Sequence, residues 1–309
     1  MPYISGTVTG ELVNTLQELA KSMKKDVLNN IIHEVTQGRV FALLPEETQA
    51  KIRALPPEVV RQAALFSLTR PQPGDASPYN RLLLNPCLTM QWLDIFEELN
   101  LPRDMAVFEP CSGSSEPVIL ATEIYTNGKG RYSTINLNRP LAAELLPKLA
   151  KLRLHITLIG EDATRREPYQ TIGPVDVACY HHAINDILQT AVSEPRGMDT
   201  CTIDWWANER QMIEWLAEDA AAGRLGERAR PALLDAVRHS VELVKPGGYL
   251  LFDHWTWEAH RAQDWFPWQL FCDLIPMARE WIMAEGLPLT ECPLVGKDSR
   301  WWMCLRREG

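Results

Sequence analysis

Residues 243–255 read LVKPGGYLLFDHW. The run from Tyr249 to Trp255 reads as a strand, and RPALLDAVRHSVELV just ahead of it reads as a helix. The same alternation recurs upstream. MAVFEP (105–110), YSTINL (132–137), HITLIG (155–160) and VDVACYH (175–181) are strand candidates, with PVILATEIYT and PLAAELLPKLAKL as helices between the early ones. PLTECPLV (288–295) and WWMCLRR (301–307) add two strands at the end. Apolar strands alternating with helices indicate an α/β fold, a doubly wound and mostly parallel sheet covered by helices on both faces. In such sheets ligands bind beyond the carboxyl ends of the strands, so chemistry is sought in the residues that follow each one.

The first 80 residues differ in character. Leu12, Leu16, Leu19, Met23, Val27, Ile31 and Ile32 recur at three- and four-residue steps, which predicts one amphipathic helix from Thr9 to His33. Pro45 opens a second helix, PEETQAKIRAL, and Pro56-Pro57 a third, PEVVRQAALFSL. TRPQPGDASPYN (69–80), with three prolines and a glycine, reads as a connecting loop. The expected organisation is a helical N-terminal unit, 1–80, serving as a cap or in dimerisation, followed by an α/β domain, 81–309.

Composition limits the function classes. The 309 residues are 46% hydrophobic and 23% charged, enough apolar material for a sizeable core. A formal net charge of −9 with no dense Lys/Arg run would repel a phosphate backbone, so no nucleic-acid partner is expected. No apolar stretch reaches membrane-spanning length, and MPYISGTVTGELVN lacks a basic-then-apolar leader; a cytoplasmic enzyme without membrane contact is expected. Seven scattered cysteines without a CxxC pair argue against a disulfide framework or a structural zinc site.

At the strand ends, Glu109 is followed by PCSGSS, small residues that let a ligand approach the backbone. The second strand ends in INLNRP, where Asn136 or Asn138 can hold ribose hydroxyls or cap the following helix. The third ends in GEDAT, with Asp162 able to accept an adenine amino hydrogen. Taken in order, VFEPCSGSS, TINLNRP, LIGEDAT, PVDVACYHHAINDIL and LVKPGGYLLFDHW resemble the successive motifs of the class I S-adenosylmethionine-dependent methyltransferases, over roughly residues 85–309.

The resemblance implies a seven-stranded sheet whose last strand, RWWMCLRRE, inserts antiparallel, and a bound S-adenosylmethionine that becomes S-adenosylhomocysteine. Carried over by position, the donor site comprises Glu109, Cys111, Gly113, Ser115, Asn136, Asp162, Ala163 and Tyr180. Cys111 and Ser115 stand where the family has its outer glycines, and Asn136 where it has an acidic residue. These departures keep a second reading open, a catalytically silent Rossmann-like binding or scaffold protein.

Acceptor chemistry is expected after the fourth and fifth strands. His181 and His182 are candidate bases, since a neutral imidazole can take a proton as a methyl group transfers, and Asp186 is a candidate to orient one of them. An insertion at about 193–230 exceeds a normal crossover and reads as a lid carrying Trp205 and Trp206. His254, Trp255 and Trp257 complete an expected aromatic acceptor pocket. The spacing of His254, Glu258 and His260 is not a zinc signature, and no metal is expected. The implied activity is methyl transfer to an oxygen, nitrogen or sulfur atom of a small molecule, with specialised metabolism as the expected setting.

Overall fold

The structure, a computed structural model, describes residues 25–74 and 77–309. Seven strands form one sheet: β1 (Ala106–Pro110), β2 (Arg131–Ile135), β3 (His155–Ile159), β4 (Val175–His181), β5 (Val244–Asp253), β6 (Leu289–Cys292) and β7 (Trp302–Arg307). Their order is β3-β2-β1-β4-β5-β7-β6. The first five run parallel, and β7 enters antiparallel to both β5 and β6. This is the doubly wound, seven-stranded arrangement expected from the alternation of segments.

β1 is buried on both faces along its whole length, as befits a central parallel strand. Successive side chains feed opposite cores. Val107, Val177, Cys179 and Leu251 pack on one face with the helices Pro57–Leu68, Pro78–Glu98 and Pro117–Thr126. Phe108, Ala178, Tyr180, Leu250 and Phe252 pack on the other with the helices Ala183–Ser193, Arg230–Leu243 and Leu274–Ala284. The helix ends follow local chemistry: Pro57, Pro78 and Pro117 occupy first turns, where a missing N–H costs nothing. Asn138 and Asp204 accept hydrogen bonds from the backbone N–H groups of Leu141 and Ala207, capping the helices Arg139–Leu145 and Trp205–Ala221.

Within the N-terminal region the helices are Lys25–Thr36, Arg39–Leu43, Glu46–Arg53 and Pro57–Leu68. The part of the first expected helix from Thr9 to residue 24 lies outside the described residues. Leu28, Ile31, Val35, Val40 and Ile52 belong to the same apolar cluster as Val107, Tyr132 and Cys304, so these helices cover one face of the sheet. Among the described residues no helix is long and apolar enough to cross a membrane.

Candidate functional site

The strand order reverses between β1 and β4, and two connected cavities open beyond the carboxyl ends there. The smaller, about 90 Å³, is lined by Asn136, Asp162, Ala163 and Thr164. The larger, about 320 Å³, is lined by Ser112 to Ser115, His181, His182, Asn185, Glu209 and a wall of Trp206, Trp255, Trp257, Trp265, Phe266 and Phe271. Cys111, Gly113, Leu141, Asp186 and Trp205 line both and form the neck between them.

The loop after β1 turns on two left-handed residues, Cys111 (φ 56°) and Gly113 (φ 58°). Glycine is the residue that adopts this conformation without strain, so Cys111 holds it at a conformational cost. A Cβ at position 113 would meet only Leu141 Cδ1, at 3.6 Å, so the loop surface there faces open space. Asn136 Nδ2 donates to the Gly113 carbonyl at 2.7 Å, and Thr134 Oγ1 to Ser112 Oγ at 2.9 Å. Asn136 thus shapes the loop with its amide nitrogen. Asp162 Oδ1 accepts from the Thr164 N–H and hydroxyl, both at 2.8 Å, which holds the turn after β3.

Asn138 is turned away from ligand duty. Its Oδ1 caps the helix Arg139–Leu145, and its Nδ2 donates to the carbonyls of Thr200 and Ile203 at 2.9 and 3.0 Å. The Arg139 N–H donates to the Cys201 carbonyl at 2.9 Å. The lid, whose main helix is Trp205–Ala221, is thereby stapled at its entrance to the end of β2.

At the end of β4, His181 is 4% exposed and faces Asp253, its register partner at the end of β5. His181 Nδ1 and Asp253 Oδ1 are 2.8 Å apart. The indole N–H of Trp92 lies 3.2 Å from the same Nδ1. One nitrogen cannot both donate and accept, and the charge-assisted bond to the carboxylate is the stronger. Nδ1–H therefore donates to Asp253, and Nε2 is left for the cavity. Burial disfavours the imidazolium, yet Asp253 outweighs it and holds His181 above the ordinary histidine value. His182 behaves differently. Left-handed (φ 56°) at the N-cap of the helix Ala183–Ser193, its ring is stacked between His254 (4.5 Å) and Trp255 (4.7 Å), and burial together with His181 drives it down to about 3. It is a neutral wall of the cavity at any working pH.

Three residues assigned to ligand contact do not reach either cavity. Glu109 is fully buried behind the loop, with Oε2 accepting from the Tyr132 hydroxyl at 2.5 Å; burial pushes it up to about 8, while His181 and Tyr132 pull it down. Tyr180 alternates with His181 along β4, so it points to the opposite face, where it bonds Ser240 (2.7 Å) and stacks on Phe252 (4.4 Å). His254 is 0% exposed behind His182. Asp186, assigned to orient an imidazole, hydrogen-bonds Asn185 instead. Burial, with Glu209 nearby, pushes it up to about 8.

Other functional positions had no marker in the sequence. Asp253 sits 72 residues from His181 and meets it only through strand register. The 69–74 loop also matters: the Gln72 N–H donates to the Thr256 carbonyl and the Glu258 N–H to the Gln72 carbonyl, both at 2.8 Å, fixing Trp257 in the cavity wall. Arg70, from this loop, donates to the Ser67 and Thr69 carbonyls and to Gln91, and burial lowers it to about 10. Among the described residues no group of three or more His, Cys, Asp or Glu could hold a metal ion.

No family model and no curated protein matches the sequence. Solved structures do. An O-methyltransferase family protein from Burkholderia thailandensis is 11% identical with a TM-score of 0.43, covering 98% of this chain and 74% of that one. Precorrin-6y C5,15-methyltransferase from Geobacter metallireducens is 12% identical with a TM-score of 0.40, covering 72% and 87%. The Methanococcus jannaschii fibrillarin pre-rRNA processing protein is 17% identical with a TM-score of 0.36, covering 67% and 68%. The expectation that nucleic acid is no partner is corrected: the similar structures include one whose name ties it to pre-rRNA. It is the strand order, the antiparallel β7 and the helices on both faces that give this chain the class I methyltransferase fold.

Proposed function

We propose that the chain is an S-adenosylmethionine-dependent methyltransferase whose acceptor is a small molecule held in the aromatic cavity. The observation that carries this reading is the neck: Cys111, Gly113, Leu141, Asp186 and Trp205 line both cavities, so a ligand in the smaller one meets a ligand in the larger one there. The residues present fit the donor. Gly113 offers an open backbone surface, Asn136 a carbonyl oxygen, and Asp162 and Ala163 the far wall of a slot for a flat ring.

When bound, S-adenosylmethionine supplies an activated methyl group on its sulfonium. The protein's share is to align the acceptor, exclude water and remove a proton. The aromatic wall excludes water. His181 Nε2 takes the proton, and Asp253 holds the ring in the tautomer that leaves this nitrogen free and stabilises the imidazolium that forms.

The test is calorimetric titration with S-adenosylhomocysteine, followed by a labelled-methyl assay on a cell extract. Saturable binding that weakens in Asp162→Ala, with label appearing in small solutes, supports the proposal. Absence of binding at millimolar concentration sinks it, and label found only in RNA or protein rejects the small-molecule acceptor.

A further inference from the structure

The larger cavity contains two acidic side chains that no basic group pairs with. Asp186 comes from the helix Ala183–Ser193 and Glu209 from the lid helix Trp205–Ala221. Several other acids are paired with a base: Asp219 meets Arg196, Arg224 and Arg228, Glu123 meets Arg153, and Asp253 meets His181, whereas the buried Glu109 has only the Tyr132 hydroxyl and lies outside the cavity. Asp186 has only the Asn185 amide, at 3.2 Å, and neither it nor Glu209 forms an ion pair among the described residues.

The bases that share the cavity do not neutralise them. Lys148 is committed to Glu116 (2.9 Å) and the Ser114 carbonyl (2.5 Å). Arg81 is exposed and forms no ion pair with Glu209, although its charge lowers that acid, and burial lowers His260. Burial raises both acids more than Arg81 lowers Glu209 or His181 lowers Asp186, so a further positive charge in the cavity would stabilise their anions. His181, 4% exposed, lines the same cavity with Nε2 unpartnered. Trp255 and Trp257 line the same cavity, indole rings of the kind that attract cations through their quadrupoles; Trp255 also stacks on His182, and the Trp265 ring already carries the Arg210 guanidinium at 5.1 Å.

Building on the methyltransferase reading, we propose that the acceptor is an organic amine bound as its ammonium, with the charged nitrogen between Asp186 and Glu209 and an apolar body the size of one or two rings against Trp255 and Trp257. The volume of about 320 Å³ falls at the low end for ligand pockets, which suits a molecule of that size. The ammonium is the handle by which the acceptor is recognised, whichever of its atoms receives the methyl group. An anionic analogue of the same shape is repelled by the same pair.

Three probes of one shape test this: phenethylamine, 2-phenylethanol and 3-phenylpropanoate, titrated by tryptophan fluorescence into protein saturated with S-adenosylhomocysteine. The amine is expected to bind about tenfold more tightly than the alcohol and more tightly still than the acid. Glu209→Gln removes most of that preference while leaving S-adenosylhomocysteine affinity unchanged, and Asp186→Asn removes the rest. Equal affinity for amine and alcohol, preference for the acid, or no amine binding up to about 10 mM overturns the proposal. If S-adenosylhomocysteine itself fails to bind, the methyltransferase reading falls instead, and the two failures are told apart by that first titration.

Discussion

His181 Nδ1 and Asp253 Oδ1 meet at 2.8 Å because the last residues of two neighbouring parallel strands are register partners. The pair is built from the backbone outward, since the Asp253 carboxylate also accepts from the His182 N–H at 3.2 Å, so that the turn after β4 is tied to the end of β5. Asp253→Asn keeps the shape and removes the charge. The turnover rate is expected to fall by about 10²- to 10⁴-fold with little change in the acceptor KM, as for other oriented bases. A loss confined to KM would show that the pair serves binding alone.

The same pair sets a pH dependence. His181 is held above the ordinary value of about 6.5, and its neutral form is the base, so kcat rises as pH climbs through that raised value. For stability the sign is opposite: the interaction contributes fully below about 6.5 and is lost as pH rises through the folded-state value. Rate profiles and denaturation midpoints across pH 5 to 9 measure the two effects (about the range in which histidine titrates), and parallel trends would contradict the assignment.

Placing a carboxylate at position 136 is expected to do harm. Asn136 donates to the Gly113 carbonyl, and Asn136→Asp would set a carboxylate against that oxygen. Losing the bond and adding the repulsion should weaken S-adenosylhomocysteine binding by about tenfold. Tighter binding in calorimetry would refute the role given to the Asn136 amide.

Cys111 is left-handed and lies in the neck. Cys111→Val places a branched side chain in a conformation it strongly resists, and should cost about 2 kcal/mol in urea denaturation while narrowing the passage. A variant as stable as the parent would show that the loop can refold around position 111.

Asp219, 0% exposed, gathers Arg196, Arg224 and Arg228 and so ties the lid helix to the segments on either side of it. Asp219→Asn leaves three guanidinium groups facing a neutral amide, at a cost of about 3 kcal/mol. The hydrogen bond from Arg196 holds Asp219 below its ordinary range. Its stabilisation is present above about pH 3.9 and disappears as pH falls through the depressed value, so parent and variant should converge in acid.

The contrast between Cys179, Tyr180 and His181 shows what a sequence read by itself discloses. The apolar run predicts the strand 175–181, and the structure has it at Val175–His181. Which face each residue takes follows from alternation once the cavity side is known; Tyr180, which the resemblance places at the donor, packs on the opposite face because that side is decided by the packed helices. Glu109 failed for a related reason: position at a strand end does not by itself expose a carboxylate, and Tyr132 from β2 closes over it. Asp253 lay within the very segment that suggested the fold, but its partner is decided by register between strands separated by a whole lid. Asn136, Asp162, Ala163, Trp205, Trp255 and Trp257 do line the cavities, because loops after adjacent parallel strands converge whatever their composition.

The staple from Asn138 to Thr200 and Ile203 divides the lid into two parts with different freedoms. Its entrance is held by the strand that presents Asn136 and cannot drift without disturbing the donor slot. Its cavity-facing side, bearing Trp206, Glu209 and Ile213, is free of that tether. New acceptor preferences can therefore be grafted at those three positions while the cofactor slot is inherited intact, which makes the lid a replaceable part on a fixed hinge pin.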